Sequence, residues 1–203
     1  MANEPIRVGL IGAGRNTRDR HMPGFDKVAG LEVAAVANRS RESGRTVADQ
    51  FNIPTVYDNW QELLEDESLN AVCIGTWPNM HRTLSIAALQ AGKHVLCEKP
   101  LGRNATEAKQ ATVAAAESGK VLNVGYNHRF HPAIRQLQEA VAGGRLGEAM
   151  LIRGRYGHGG RPGYDQEWRA DASVSGGGEF LDQGAHLIDL CVWLLGPVEQ
   201  VNG

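Results

Sequence analysis

Short continuous runs of apolar residues recur through the first three fifths of the chain, and stretches of helical period separate them. Ile6–Ile11, Leu31–Ala37, Thr55–Tyr57, Ala71–Gly75, His94–Cys97 and Val121–Tyr126 read as strands. The run Leu31–Ala37 is broken only by Glu32. Strands that do not alternate apolar with polar are buried on both faces, as in parallel sheets. Between them, the sequence after Gly14 is helical to about Gly30, and Arg41–Phe51 and Met80–Ala91 are helices, the last ended by Gly92. Asp58 with Gln61, and Asn104 with Glu107, have capping-box spacing, so a brief helix and a long alanine-rich helix to about Ser118 follow them. Strands alternating with helices imply parallel pairing and right-handed crossovers. The expectation is an α/β, doubly wound parallel sheet over residues 1–124.

The pattern changes after Tyr126. Pro132–Ala142 carries Ile134, Leu137 and Val141 at helical spacing, and Gly143-Gly144 ends it. Glu148–Tyr156 alternates in part and reads as a strand, Gly157–Gly163 as a glycine-rich loop. Gly176-Gly177-Gly178 precedes a helix over Glu179–Leu195, stopped by Gly196-Pro197, and Val198–Val201 starts another strand. Residues 125–203 therefore read as the beginning of a second, α+β domain whose sheet is largely missing. Leu187, Leu190, Trp193 and Leu194 give the last helix more apolar surface than one solvated helix shows.

Composition narrows the class. The 203 residues are 42% hydrophobic and 22% charged, as in a globular protein with a packed core. A net charge of -2 gives no electrostatic case for nucleic acid or an anionic membrane. No apolar run approaches the roughly 18 residues needed to span a bilayer. The start lacks the pattern of a secretory signal, so a cytoplasmic location is expected. Cys73, Cys97 and Cys191 lie far apart with no Cys-x-x-Cys, which speaks for buried thiols and against a metal site.

Three stretches carry chemistry. Gly12-Ala13-Gly14 follows the first strand and opens a helix, where backbone N–H groups can approach a pyrophosphate. Thr17 stands where G-x-G-x-x-G has its third glycine, so a slightly wider helix–strand fit is expected. The strand His94–Cys97 ends in Glu98-Lys99-Pro100, which places charge at the edge where open α/β sheets bind ligands. Asp182 and His186 are four apart on a helix and share a face. Each feature alone has a plain reading: a common glycine turn, a solvated lysine, an ordinary surface pair. The cofactor's type is addressed by the second strand's end. An NAD-selective βαβ unit ends that strand in Asp or Glu; here Asn38-Arg39-Ser40-Arg41 follows. Neutral Asn38 does not repel a 2′-phosphate, and Arg39 offers it a fork of donors, which favours NADP, with NAD possible if Arg39 stacks on adenine instead.

Together these residues resemble the glucose–fructose oxidoreductase, inositol dehydrogenase and rhizopine-catabolism family (Gfo/Idh/MocA). The resemblance rests on Gly9–Gly14, Thr76-Trp77-Pro78-Asn79-Met80-His81, Ala91–Pro100, Asn127-His128-Arg129-Phe130 and Gly176–His186. It implies a Rossmann domain followed by a substrate domain built on an antiparallel sheet, and typical members are longer than this chain. It implies an NAD(P)-dependent oxidoreductase acting on a secondary hydroxyl or ketone of a sugar, cyclitol or sugar nucleotide. The implied cofactor-binding residues are Gly12, Ala13, Gly14, Arg15, Asn16, Asn38, Arg39, Thr76, Trp77, Pro78, Asn79, His81, Glu98, Lys99 and Asn127. Lys99, Arg129, Asp182 and His186 would meet the substrate. Of these, His186 is assigned as the base, Asp182 as its orienting partner, and Lys99 as the group that stabilises a developing alkoxide. The resemblance further implies a cis Lys99–Pro100 bond and a homo-oligomer for the full-length form. His158, Arg161, Tyr164, Trp168 and Arg169 give the variable loop a sugar-binding composition. The alternatives are dehydration or epimerisation through a transient ketone, a non-catalytic NAD(P)-binding regulatory module or truncated fragment, and a generic nucleotide-binding domain.

Overall fold

The computed structural model describes residues 5–157 and 162–202, and the chain divides into two compact units, Met1–Gly125 and Tyr126–Gly203. The first unit is a six-stranded parallel sheet. Its strands are β1 (Ile6–Ile11), β2 (Leu31–Ala37), β3 (Thr55–Tyr57), β4 (Ala71–Ile74), β5 (His94–Cys97) and β6 (Leu122–Val124), in spatial order β3-β2-β1-β4-β5-β6. The order reverses between β1 and β4, which is the switch point where such sheets open a crevice at their carboxyl edge. Register there pairs Ile11 with Ile74.

Because each strand contributes side chains to both faces, two cores form. Ile11, Val72, Ile74, Val95 and Cys97 pack on one face with Leu63 and Leu64 of α3 (Trp60–Glu65), Leu84 and Leu89 of α4 (Pro78–Gln90) and Ala111 of α5 (Ala105–Ser118). Val8, Leu10, Val36 and Cys73 pack on the other with Met22 of α1 (Met22–Phe25) and Val47 of α2 (Arg41–Phe51). Burial pushes the Cys97 thiol up to about 12, so it behaves as a small apolar residue. Lys93 is buried too; its ammonium donates to the carbonyls of Asp66 and Leu69 at 2.7 Å each, in the turn after α3.

Several local expectations shift. Asn104 caps α5 as its spacing suggests, accepting from Glu107 N–H at 2.9 Å. The cap of α3 is Asn59 rather than Asp58: Asn59 accepts from Glu62 N–H at 2.9 Å. α4 starts at Pro78, whose missing N–H costs nothing in the first turn, so Asn79 and His81 lie on the helix. The helix after the glycine turn is wound as a π-helix over Thr17–His21.

The second unit has α6 (Pro132–Ala142), α7 (Ala172–Ser175) and α8 (Ala185–Leu195), with a π-helical turn over Phe180–Gly184 leading into α8. Glu148–Tyr156 and Val198–Val201 are not strands, because neither has a hydrogen-bonded neighbour among the described residues. Arg129 holds Asp189 of α8 through two bonds of 2.7 and 2.5 Å and lies 5.5 Å from the Trp193 ring.

Thr17, in place of the third glycine, packs closely against the turns after β1 and β4. Thr17 is buried, and its hydroxyl donates to Gly12 O at 3.2 Å. Room for it comes from Gly75, directly after β4. A Cβ at Gly75 would lie 2.2 Å from Thr17 Oγ1 and 2.4 Å from Gly12 O. Gly75→Ala should therefore destabilise the protein by about 1–3 kcal/mol, the usual cost of forced overpacking. Thr17→Ala in the same chain should recover part of that. Urea unfolding of both variants measures it; an unchanged midpoint for Gly75→Ala would refute the close fit.

Candidate active site

In the first unit, three loops meet at the carboxyl edge of the sheet: those after β1, β4 and β5. Side chains stitch them together. Gly12 takes φ +82°, and a Cβ there would lie 2.6 Å from Thr76 Cγ2, so this turn requires glycine. Asn38, at the end of β2, accepts from Ala13 N–H at 2.7 Å and donates to Ser43 O at 3.1 Å. The Ala13 N–H is thereby used, and Gly14, Arg15 and Asn16 form the exposed rim that opens the helix. The first N–H groups of a helix have no intrahelical acceptor, which makes that rim a natural place for a phosphate.

His81 ties the second and third loops. One ring nitrogen is 2.6 Å from Pro100 O and the other 3.0 Å from Thr76 O. Burial holds the His81 imidazole below its ordinary pKa, against the pull of both carbonyls. A neutral ring donates to only one of them. His81 is thus a brace between strand-end turns rather than a group facing out from them. Trp77 is about half exposed beside it, and Pro78 is buried. Thr76 Oγ1 and Asn79 Oδ1 are buried with no hydrogen-bond partner among the described residues. Two orphaned polar atoms beside a glycine-lined turn fit a polar ligand seated at this edge.

Glu98 follows β5, and its N–H bonds Ile74 O at 2.9 Å. Its carboxylate is largely buried. Oε1 accepts from Asn16 Nδ2 and from His21 Nε2, each at 2.6 Å; Oε2 accepts from the Lys99 N–H at 3.2 Å. Burial pushes the Glu98 carboxyl up, but the hydrogen bond and charge of His21, with the Lys99 N–H and ammonium, bring it below its ordinary value. Lys99 is half-buried, and the Lys99–Pro100 bond is cis.

The second-strand residues are divided among tasks that the sequence did not reveal. The Ser40 hydroxyl caps α2, accepting from Ser43 N–H at 3.3 Å, and Arg41 pairs with Asp58 at 2.6 Å. Arg39 is exposed.

In the second unit, His186 is buried within a ring of aromatic side chains. His128 stacks on it at 4.0 Å between centroids and 11° between planes, while Tyr126 and Tyr156 present their edges at 5.9 and 6.1 Å. The Tyr156 hydroxyl is 3.3 Å from His128 Nε2. Asp182 is buried one turn away and accepts from Arg169 Nε at 2.8 Å and from Gln183 at 3.2 Å. Arg169 also pairs with Glu167 and lies 4.4 Å from the Trp168 ring. Arg129, expected to meet substrate, spends its guanidinium on Asp189, and Asn127 is exposed. Burial raises the Tyr126 phenol above its ordinary value, with Asp189 adding to it, so Tyr126 is a neutral donor at neutral pH. His158 and Arg161 of the loop lie outside the described residues; Tyr164 falls in a short helical turn, Tyr164–Gln166. The sequence singled out neither His128 nor Tyr156 as part of this cluster. Among the described residues no group of three His, Cys, Asp or Glu side chains is arranged to hold a metal.

Comparison with known proteins agrees with this architecture. Residues 6–126 match the oxidoreductase family with an NAD-binding Rossmann fold, and residues 134–203 match a Gfo/Idh/MocA C-terminal domain. The chain is 36% identical over 200 residues to 1,5-anhydro-D-fructose reductase of Ensifer adhaerens, covering 96% of this chain and 59% of that one. It superposes on levoglucosan dehydrogenase in complex with NADH and levoglucosan with a TM-score of 0.87, at 29% identity, over 95% of this chain and 55% of that one. A 3-ketoreductase variant from Actinomadura kijaniata, in complex with TDP-benzene and NADP, gives a TM-score of 0.79 at 30% identity, over 95% and 58% of the two chains. The chain thus spans little more than half the length of the relatives it matches. A parallel sheet with a glycine turn at its switch point, the Glu98–Lys99 strand end and two successive family matches lead to one assignment: this chain belongs to the Gfo/Idh/MocA oxidoreductase family.

Proposed function

We propose that this protein transfers a hydride between a nicotinamide dinucleotide and a secondary hydroxyl or ketone of a sugar, cyclitol or sugar nucleotide. The observation that carries the proposal is the cross-linking of the glycine turn and the Glu98–Lys99 strand end at one edge of the sheet. Gly12, Gly14, Arg15 and Asn16 would hold the pyrophosphate side of the dinucleotide. Thr76, Trp77 and Asn79 would meet its nicotinamide half, where Thr76 Oγ1 and Asn79 Oδ1 are otherwise unsatisfied among the described residues. A bound nicotinamide supplies the hydride acceptor or donor. The protein's own part is the proton and the oxygen. Lys99, with its backbone fixed by Glu98, presents an ammonium to the substrate oxygen and stabilises negative charge on it. His186 takes the hydroxyl proton during oxidation and returns it during reduction. Its aromatic surroundings hold the ring in one orientation and exclude water from its faces. Asp182, paired with Arg169, sets the electrostatic surroundings of the imidazole.

Sugar substrates are supported by the relatives, whose names cite 1,5-anhydro-D-fructose and levoglucosan. For the cofactor we propose NADP. With Ser40 committed to a helix cap and Arg41 to Asp58, Arg39 is the residue left to meet a 2′-phosphate, and no carboxylate ends β2 to repel it.

Two outcomes follow. Lys99→Ala and His186→Ala should each lower kcat for reduction of 1,5-anhydro-D-fructose, or of another sugar substrate found by screening, by roughly 100-fold, the scale of acid–base and oxyanion groups. NADPH affinity should change by less than about threefold in His186→Ala, well under the ~1.4 kcal/mol of a tenfold effect. Near-normal turnover in both variants removes the assignment. Titration of NADPH and NADH should show tighter NADPH binding, and Arg39→Ala should weaken NADPH by about tenfold while leaving NADH nearly unchanged, as expected for one charge-assisted hydrogen bond. Equal or tighter binding of NADH by the native protein contradicts the NADP assignment.

A further inference from the structure

The strand end that carries Lys99 is held by a residue far from it in sequence. Glu98 receives two short bonds on one oxygen, from Asn16 and His21, which lie 82 and 77 positions upstream. These two donors sit at the start and end of a single π-helical turn: Asn16 is its N-cap and His21 its last residue. The winding is what makes the convergence possible. In an α-helix, residues five apart point about 140° away from each other around the axis. In a π-helix, with its i→i+5 bond, they come onto one face. The wider winding turns the side chains at 16 and 21 towards the same carboxylate oxygen.

The surroundings of that carboxylate are built for it. Side chains of His21 and Glu98 are only 17% and 16% exposed. Gly125, after β6, leaves space: a Cβ there would lie 3.3 Å from Glu98 Oε2. The His21 ring is supported by Phe25, stacked at 5.9 Å. An ionised carboxylate only accepts, so the His21 Nε2 facing it carries the proton. Oε2, the other oxygen, holds the Lys99 N–H. The chain of contacts therefore runs from the helix that opens at the glycine turn, through His21 and Glu98, to the backbone of Lys99.

We infer that His21 is a positioning residue: through Glu98 it fixes the Lys99 backbone relative to the glycine turn, and the π-helical turn exists to deliver it. The inference deepens the functional proposal above and rests on it for the role of Lys99, but the contact itself is testable without turnover. His21→Leu removes the donor and keeps an apolar side chain over the carboxylate. It leaves Asn16 as the remaining donor named on Oε1, so the carboxylate is held at one point instead of two and its hold on the Lys99 amide through Oε2 loosens. His21→Gln restores an N–H donor without a charge.

The experiment is amide hydrogen exchange read by NMR, together with NADPH titration, on the native protein and these variants. Expected in His21→Leu is at least tenfold faster exchange of the Lys99 amide, with Leu10, Cys73 and Val95 in the strand cores unchanged, and NADPH bound at least fivefold more weakly. His21→Gln should restore both towards the native values. Unchanged Lys99 exchange in His21→Leu overturns the inference, as does faster exchange that spreads equally to the core strands, which marks general destabilisation. If His21→Leu does not fold, Glu98→Gln carries the same comparison: it weakens the acceptor and must speed Lys99 exchange alone. Should Lys99→Ala prove fully active while His21→Leu still releases the Lys99 amide, the catalytic reading of Lys99 fails and the positioning contact stands.

Discussion

The close approach of the turns after β1 and β4 governs the first unit. These strands are neighbours at the point where strand order reverses, and both turns need glycine there. Gly12 takes a backbone conformation that side chains resist, and Gly75 leaves the space that Thr17 fills. Once the two turns touch, the helix that starts at Arg15 is fixed against the sheet, and Asn16 and His21 face the end of β5. The turns that follow these strands carry backbone carbonyl and N–H groups outside the ladder. Asn38, His81 and Glu98 satisfy those groups with side chains, and in doing so they make three loops into one rigid rim. A rim of this kind holds a ligand without first having to order it, which is the energetic advantage of preorganisation.

The second unit solves a different problem. It buries an imidazole and a carboxylate, and neither is tolerated in an apolar interior without partners. Asp182 is neutralised by Arg169, and His186 is enclosed by rings whose faces and edges suit it electrostatically. Ion pairs from Arg129 and Arg169 brace α8 and the turn before it. Ile188, Val192 and Leu195 leave an apolar stripe exposed along α8, at the spacing of one helix face.

Much of the first unit was legible in the residues, because buried parallel strands are short continuous apolar runs and the helices between them carry their own caps. Asn104 with Glu107 is a local signal that the structure realises, whereas at α3 the adjacent Asp58 and Asn59 can both cap, and it is Asn59 that does. Glu148–Tyr156 alternates in part but forms no strand, because alternation describes a strand only when a neighbour supplies the ladder. The contacts of the Thr17–His21 turn with Glu98 lie 77 and 82 positions away, and Thr17 meets Gly75 about sixty positions away, separations that periodicity does not record; the glycine directly after β4 is the available clue. Among the candidate site residues, the sequence identified types but not commitments. Asn38, His81 and Arg129 have the right chemistry for a ligand, and the structure shows each already bonded to the protein.

The account's central claim is that a nicotinamide dinucleotide lies across the rim at the β1–β4 switch point. A crystal structure of the protein grown with NADPH tests it most directly. The account predicts phosphate oxygens on the N–H groups that open the helix at Gly14, Arg15 and Asn16, with the nicotinamide ring reaching the Thr76–Asn79 turn and Lys99. Density for the dinucleotide at any other place on the first unit, with the rim left to solvent, would contradict it.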